Sequence, residues 1–117
     1  MNGKKLNDLL EMLYPTVYAE KWDNVGLQVG SMNKELTGIV ISLDLTMEVI
    51  QEAKFNNANL IICHHPAIFS AIKTIDNETY LGEMIHSLIK NDITLYVVHT
   101  NFDVSPYGMN VILGKKL

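Results

Sequence analysis

Three short apolar runs of strand length, GIVISLD (38–44), NLIIC (59–63) and ITLYVV (93–98), are separated by two segments whose apolar residues recur at helical spacing. This alternation restricts the fold more than any other feature. Strands that alternate with helices imply βαβ units, and those imply a mostly parallel sheet with flanking helices and right-handed crossovers. The first helical segment can be capped by Thr46 and carries Met47, Ile50 and Ala53 on its apolar face. The second, NETYLGEMIHSLIKND, places Leu81, Met84, Ile85, Leu88 and Ile89 at i, i+3, i+4, i+7 and i+8. Upstream, Leu6, Leu9, Leu10 and Leu13 repeat as on a helix that Pro15 closes, and WDNVGLQVG reads as a turn followed by a short strand. Downstream, VSPYGMNVILG reads as the opening of a last helix.

The 117 residues are about one domain in size, and 48% hydrophobic content suffices for a core. A single α/β domain over 1–117 is therefore expected. The net charge of −4, with nine Lys and Arg spread thinly, argues against nucleic acid as a partner. One cysteine allows no internal disulfide, and the start MNGKKLNDLL lacks the apolar core of a signal peptide. With no apolar window long enough to span a bilayer, the expectation is a cytoplasmic protein with no membrane association.

In parallel strands joined by helical crossovers, the carboxyl ends share one edge, where open α/β sheets place their ligands. The three runs lead there into Asp44, into His64 and His65, and into His99 followed by Asp103. Pro66 pushes His65 toward extended backbone, where neighbouring side chains point in roughly opposite directions. The pair is thus expected to serve two ions, or two faces of a cluster, rather than chelate one ion. Asp103, a hard oxygen donor, favours a mixed N/O shell for Zn, Fe, Mn or Ni over a thiolate site. His99 is open between a ligand and a group that orients Asp103 or a water. Asp44 is open between a ligand, an acceptor behind a ligand and the polar start of a loop. His86 falls off its helix's apolar stripe and belongs to a solvated face, and Cys63 belongs to the core. GLQVG has the wrong spacing for a phosphate-cradling loop and lacks the following Lys.

Together and in register, WDNVGLQVG, ISLDLT, ICHHPAIF and VVHTNFD resemble the Nif-three-like family, usually labelled GTP cyclohydrolase I type 2 homologue. The resemblance runs from about Leu6 to Gly114. It implies one lobe of a two-lobe α/β protein, a homohexamer, and a dinuclear metal centre between the lobes. It also implies that His64, His65 and Asp103 are ligands and that His99 lies beside the metals. The remaining ligands of the family, a histidine and a glutamate four residues apart, come from the second lobe. No His-x-x-x-Glu follows Asp103, and SPYGMN has Tyr107 where relatives carry a small residue. At about half the family's usual length, the chain reads as the N-terminal part of a longer protein, or else as a short form that borrows ligands from a neighbouring subunit. Two divalent ions are then expected to be weakly held or absent.

The function these features imply is a metal-dependent hydrolase acting on a nucleotide or phosphate ester, with His99 or Asp44 as proton acceptor. The alternative is a non-catalytic metal-binding scaffold, metal chaperone or regulatory protein. What separates them is a pocket with base-stacking aromatics and phosphate-binding cations, and no such pocket is evident in the sequence.

Overall fold

The computed structural model describes residues 1–99. Its elements are α1 (Gly3–Leu13), a 3-10 turn (Thr16–Tyr18), β1 (Gly26–Val29), β2 (Ile39–Ser42), α2 (Met47–Phe55), β3 (Leu60–Cys63), α3 (Tyr80–Lys90) and β4 (Thr94–Val97). Asp103 and the last helix expected after Val104 lie outside the described residues.

The four strands form one sheet in the order β1-β4-β3-β2. Strands β2, β3 and β4 are parallel, with Ser42 opposite Cys63 and Cys63 opposite Val97, so their carboxyl ends do form one edge. Strand β1 joins β4 antiparallel, with Gly26 opposite Val97. Because β1 runs backwards, its amino end lies at the carboxyl end of β4. The turn before β1 is thereby delivered to the edge where the histidines sit.

Each strand divides its side chains between two faces by the pleat. Ile61, Cys63, Leu95 and Val97 join Ile50 and Ala53 of α2 and Met84, Ile85 and Leu88 of α3 in the larger core. Both crossover helices thus cover one face, as a constant crossover hand requires. Leu60 and Tyr96 point the other way and pack with Leu6 of α1 and with Met32. Helix starts are fixed by side-chain oxygens: Thr46 Oγ1 accepts from Val49 N at 3.1 Å, and Thr79 Oγ1 from Gly82 N at 3.0 Å. Ile89, expected on the core stripe of α3, is 61% exposed. It lies eight residues beyond Leu81, a rotation of about 80° around the helix, which carries it off the buried face. Leu9 of α1 is likewise 42% exposed.

Candidate metal centre

Beyond Cys63 the β3 ladder breaks. In a regular parallel ladder a strand's successive N–H groups alternate between its two neighbours. Here consecutive residues donate to consecutive carbonyls of the same neighbour, His64 N to Ser42 O at 3.2 Å and His65 N to Leu43 O at 2.9 Å. The chain therefore bends, and the pleat rule that would send the two side chains apart no longer applies. The expected divergence of His64 and His65 is corrected accordingly: their ring centroids are 5.2 Å apart. His99, two residues past β4, brings its ring to 5.1 Å from that of His64 and 5.6 Å from that of His65. One candidate ligand atom from each of the three lies within 4.8 Å of the others.

Each imidazole is held through Nδ1. His64 Nδ1 lies 2.8 Å from the Val98 carbonyl oxygen, His65 Nδ1 2.7 Å from Asp44 Oδ1, and His99 Nδ1 2.9 Å from Asp23 Oδ2. A carbonyl or carboxylate oxygen can only accept, so all three Nδ1 atoms donate. In the neutral ring the lone pair then belongs to Nε2. Metal-ligating histidines characteristically have this arrangement, with the far nitrogen tied to a carboxylate or carbonyl that fixes tautomer and orientation. Two nitrogens on one tetrahedral ion at about 2.0–2.1 Å are separated by about 3.3 Å, and paired ions sit about 3.5–4 Å apart. The observed spread suits either one ion or two neighbouring ones, so the three imidazoles fit a divalent cation.

The surroundings differ between the rings. His65 and Asp44 are half exposed or more, whereas the Asp23 side chain is fully buried and that of His99 is 22% exposed. Asp23 Oδ1 also accepts from Asn24 N at 2.9 Å, so both carboxylate oxygens are engaged. Cys63 is fully buried. Burial, with the Asp44 carboxylate adding to it, pushes its thiol up to about 12, and its side chain packs in the larger core with Ile61, Leu95 and Val97. His86 is exposed on α3, as its position off the stripe implies.

Asp23 is the residue that the sequence reading passed over, since Asp-Asn before a glycine looks like ordinary turn chemistry. The turn is indeed there: Gly26 has φ +89°, and a Cβ on it would come within 3.3 Å of Thr16 Cγ2. What makes the turn part of the site is the antiparallel pairing of β1 with β4. A second set of bonds locks it to the histidine loop. The Gln28 side chain donates to Ile68 O at 2.9 Å and accepts from Ile68 N at 3.0 Å, while Asn24 Nδ2 donates to Ile68 O at 2.7 Å.

The family model Duf34/NIF3 (NGG1p interacting factor 3) matches residues 1–117. The chain belongs to this family. It is 44% identical over 116 residues to a Staphylococcus aureus protein named GTP cyclohydrolase 1 type 2 homolog, covering 97% of the chain and 31% of that relative. A Bacillus subtilis protein of the same name is 38% identical over all of the chain and 31% of its own length. Among solved structures, a Staphylococcus aureus hypothetical protein superposes with a TM-score of 0.90 at 44% identity, over 98% of this chain and 38% of that one. Reduced HcgD from Methanocaldococcus jannaschii superposes with a TM-score of 0.89 at 32% identity, over 98% and 46%. The chain thus spans about a third of the length of these curated relatives, less than the half expected. Among the described residues no helix is long and apolar enough to cross a membrane.

Proposed function

We propose that this Duf34/NIF3 chain is the metal-binding lobe of a metal-dependent hydrolase acting on a nucleotide or other phosphate ester. The observation that carries the reading is the convergence of His64, His65 and His99 with every Nδ1 committed to an oxygen acceptor. His64 and His65 would be ligands, joined by Asp103, four residues beyond His99. A pair of divalent cations, Zn, Fe, Mn or Ni, would supply Lewis-acid polarisation of a substrate oxygen and a lower pKa for water.

The protein's own groups divide the remaining work. Asp23 holds His99 in the Nδ1–H form, which leaves Nε2 able to ligate or to accept a proton. Asp44 does the same for His65, and it reaches the chemistry through that ring unless substrate draws its exposed carboxylate away. His64 is oriented through the backbone carbonyl of Val98. The proposed setting is a cytoplasmic homohexamer in which this domain is one of two lobes. The exposed Ile39, Ile41 and Leu43 along the outer strand are in keeping with a larger protein.

The test is metal content followed by product release. His64→Ala should abolish bound metal with the circular dichroism spectrum unchanged, while His86→Ala should change neither. Metal-loaded protein should release phosphate or an opened base from a nucleotide, and His99→Ala should slow that release. Full occupancy in His64→Ala would sink the site assignment. A loaded protein with no turnover would favour the scaffold reading, which the absence of any cationic side chain among the site residues named above also favours.

A further inference from the structure

Two of the chain's large hydrophobic side chains are exposed beside the imidazoles and touch each other. Trp22 is 58% and Phe69 53% exposed, although aromatic rings contribute most when buried. They come from segments 47 positions apart in sequence, 69 less 22, and their centroids lie 5.9 Å apart at 46°. Trp22 also meets the His99 ring edge-on at 6.4 Å and 77°. We propose that Trp22 and Phe69 form a stacking site for the planar heteroaromatic ring of a small ligand whose polar end reaches the His64, His65 and His99 cluster.

Three features support a built site over incidental exposure. First, the pair is rigidly supported. Trp22 precedes Asp23, whose buried carboxylate is bonded to His99, and Phe69 follows Ile68, whose N–H and carbonyl are both held by Gln28. A ring entering here meets positions that need not be ordered on binding, which preserves affinity. Second, both side chains stay more than half exposed where they meet, which leaves surface on each for a third ring. Third, the site is continuous with the imidazoles through His99, so a molecule lying on Trp22 has its far end at the candidate ligands. The pair also supplies base-stacking aromatics that the sequence alone did not reveal, because nothing in either segment marks the other as its neighbour.

This inference deepens the hydrolase reading and rests on it only for the polar end of the ligand, so its test keeps the two apart. Trp22 is the single tryptophan of the 117-residue chain and reports directly on stacking. The intact protein is titrated with guanosine monophosphate and with ribose 5-phosphate, which shares the sugar phosphate but lacks the ring. Trp22 fluorescence is followed, and zinc occupancy is measured on the same samples by equilibrium dialysis. The nucleotide should quench saturably and ribose 5-phosphate should not. Phe69→Leu, which keeps the apolar volume and loses the aromatic face, should weaken the nucleotide by about ten-fold, within the range of a lost base stack, and leave zinc occupancy unchanged. Equal responses to the two compounds, no response to either, or unaltered nucleotide affinity in Phe69→Leu would overturn the proposal. Quenching by the nucleotide in protein that takes up no zinc would uphold the stacking site and remove the metal reading instead.

Discussion

Replacing Asp23 tests how the site is held together. Its side chain is fully buried, with Oδ2 2.9 Å from His99 Nδ1 and Oδ1 2.9 Å from Asn24 N. These two partners are donors, so the position requires an acceptor toward each. Alanine removes both, and the loss of an acceptor behind a ligand typically costs about 10- to 100-fold in metal affinity, or about 1.4–2.7 kcal/mol. Asparagine is the sharper probe. It keeps the shape, but its amide offers one oxygen and one NH2, so either orientation sets a donor against a donor. Asp23→Asn should therefore lose zinc affinity nearly as severely as Asp23→Ala, and the buried N–H left unpaired should lower stability by about 1–3 kcal/mol. Zinc affinity is read by competition with a chromophoric chelator, and stability by urea unfolding. Parental zinc affinity in Asp23→Asn would refute the reasoning, because it would mean that the ion is not held by a His99 ring fixed through this carboxylate.

The remaining predictions concern the core beneath the site. Ile50→Ala, at a fully buried position between helix and sheet, should cost about 2–5 kcal/mol in urea unfolding; a loss well below 1 kcal/mol would contradict its place in the core. Cys63 should resist iodoacetamide at pH 8 until denaturant is added, since its thiol is pushed up to about 12. The same shift fixes a sign. The folded thiol ionises later than the unfolded one, so its contribution to stability is whole below pH 9 and lost as the pH rises toward 12. A midpoint that rises over that interval in the parent relative to Cys63→Ala would be inconsistent with this.

Much of the architecture was legible because it depends on periodicity. The 3.6-residue stripe of α3 and the β-branched runs announce parallel strands and crossovers, and crossovers alone are enough to bring Asp44, His64 and His99 to one edge. The orientation of the histidine rings was less accessible. Applying the pleat to His64 and His65 presumes that the ladder continues, whereas β3 ends at Cys63, and after two successive bonds to Ser42 and Leu43 the two rings lie beside each other. Asp23, Trp22 and Phe69 were hidden for a different reason. Their roles follow from the antiparallel placement of β1 against β4 and from the Gln28–Ile68 bonds, and neither leaves a local pattern in the chain. The structure brings the three imidazoles together; of the acceptors behind them, Asp44 was among the readings open in the sequence, whereas Asp23 and the Val98 carbonyl were not.

X-ray absorption at the zinc edge of the reconstituted protein tests the central claim most directly. The account predicts light scatterers at about 2.0–2.1 Å, with the outer-shell pattern of two or more imidazoles, and no bound zinc left to give that pattern in His64→Ala. An oxygen-only shell, or a sulfur scatterer at about 2.3 Å, would show that these three histidines do not hold the ion.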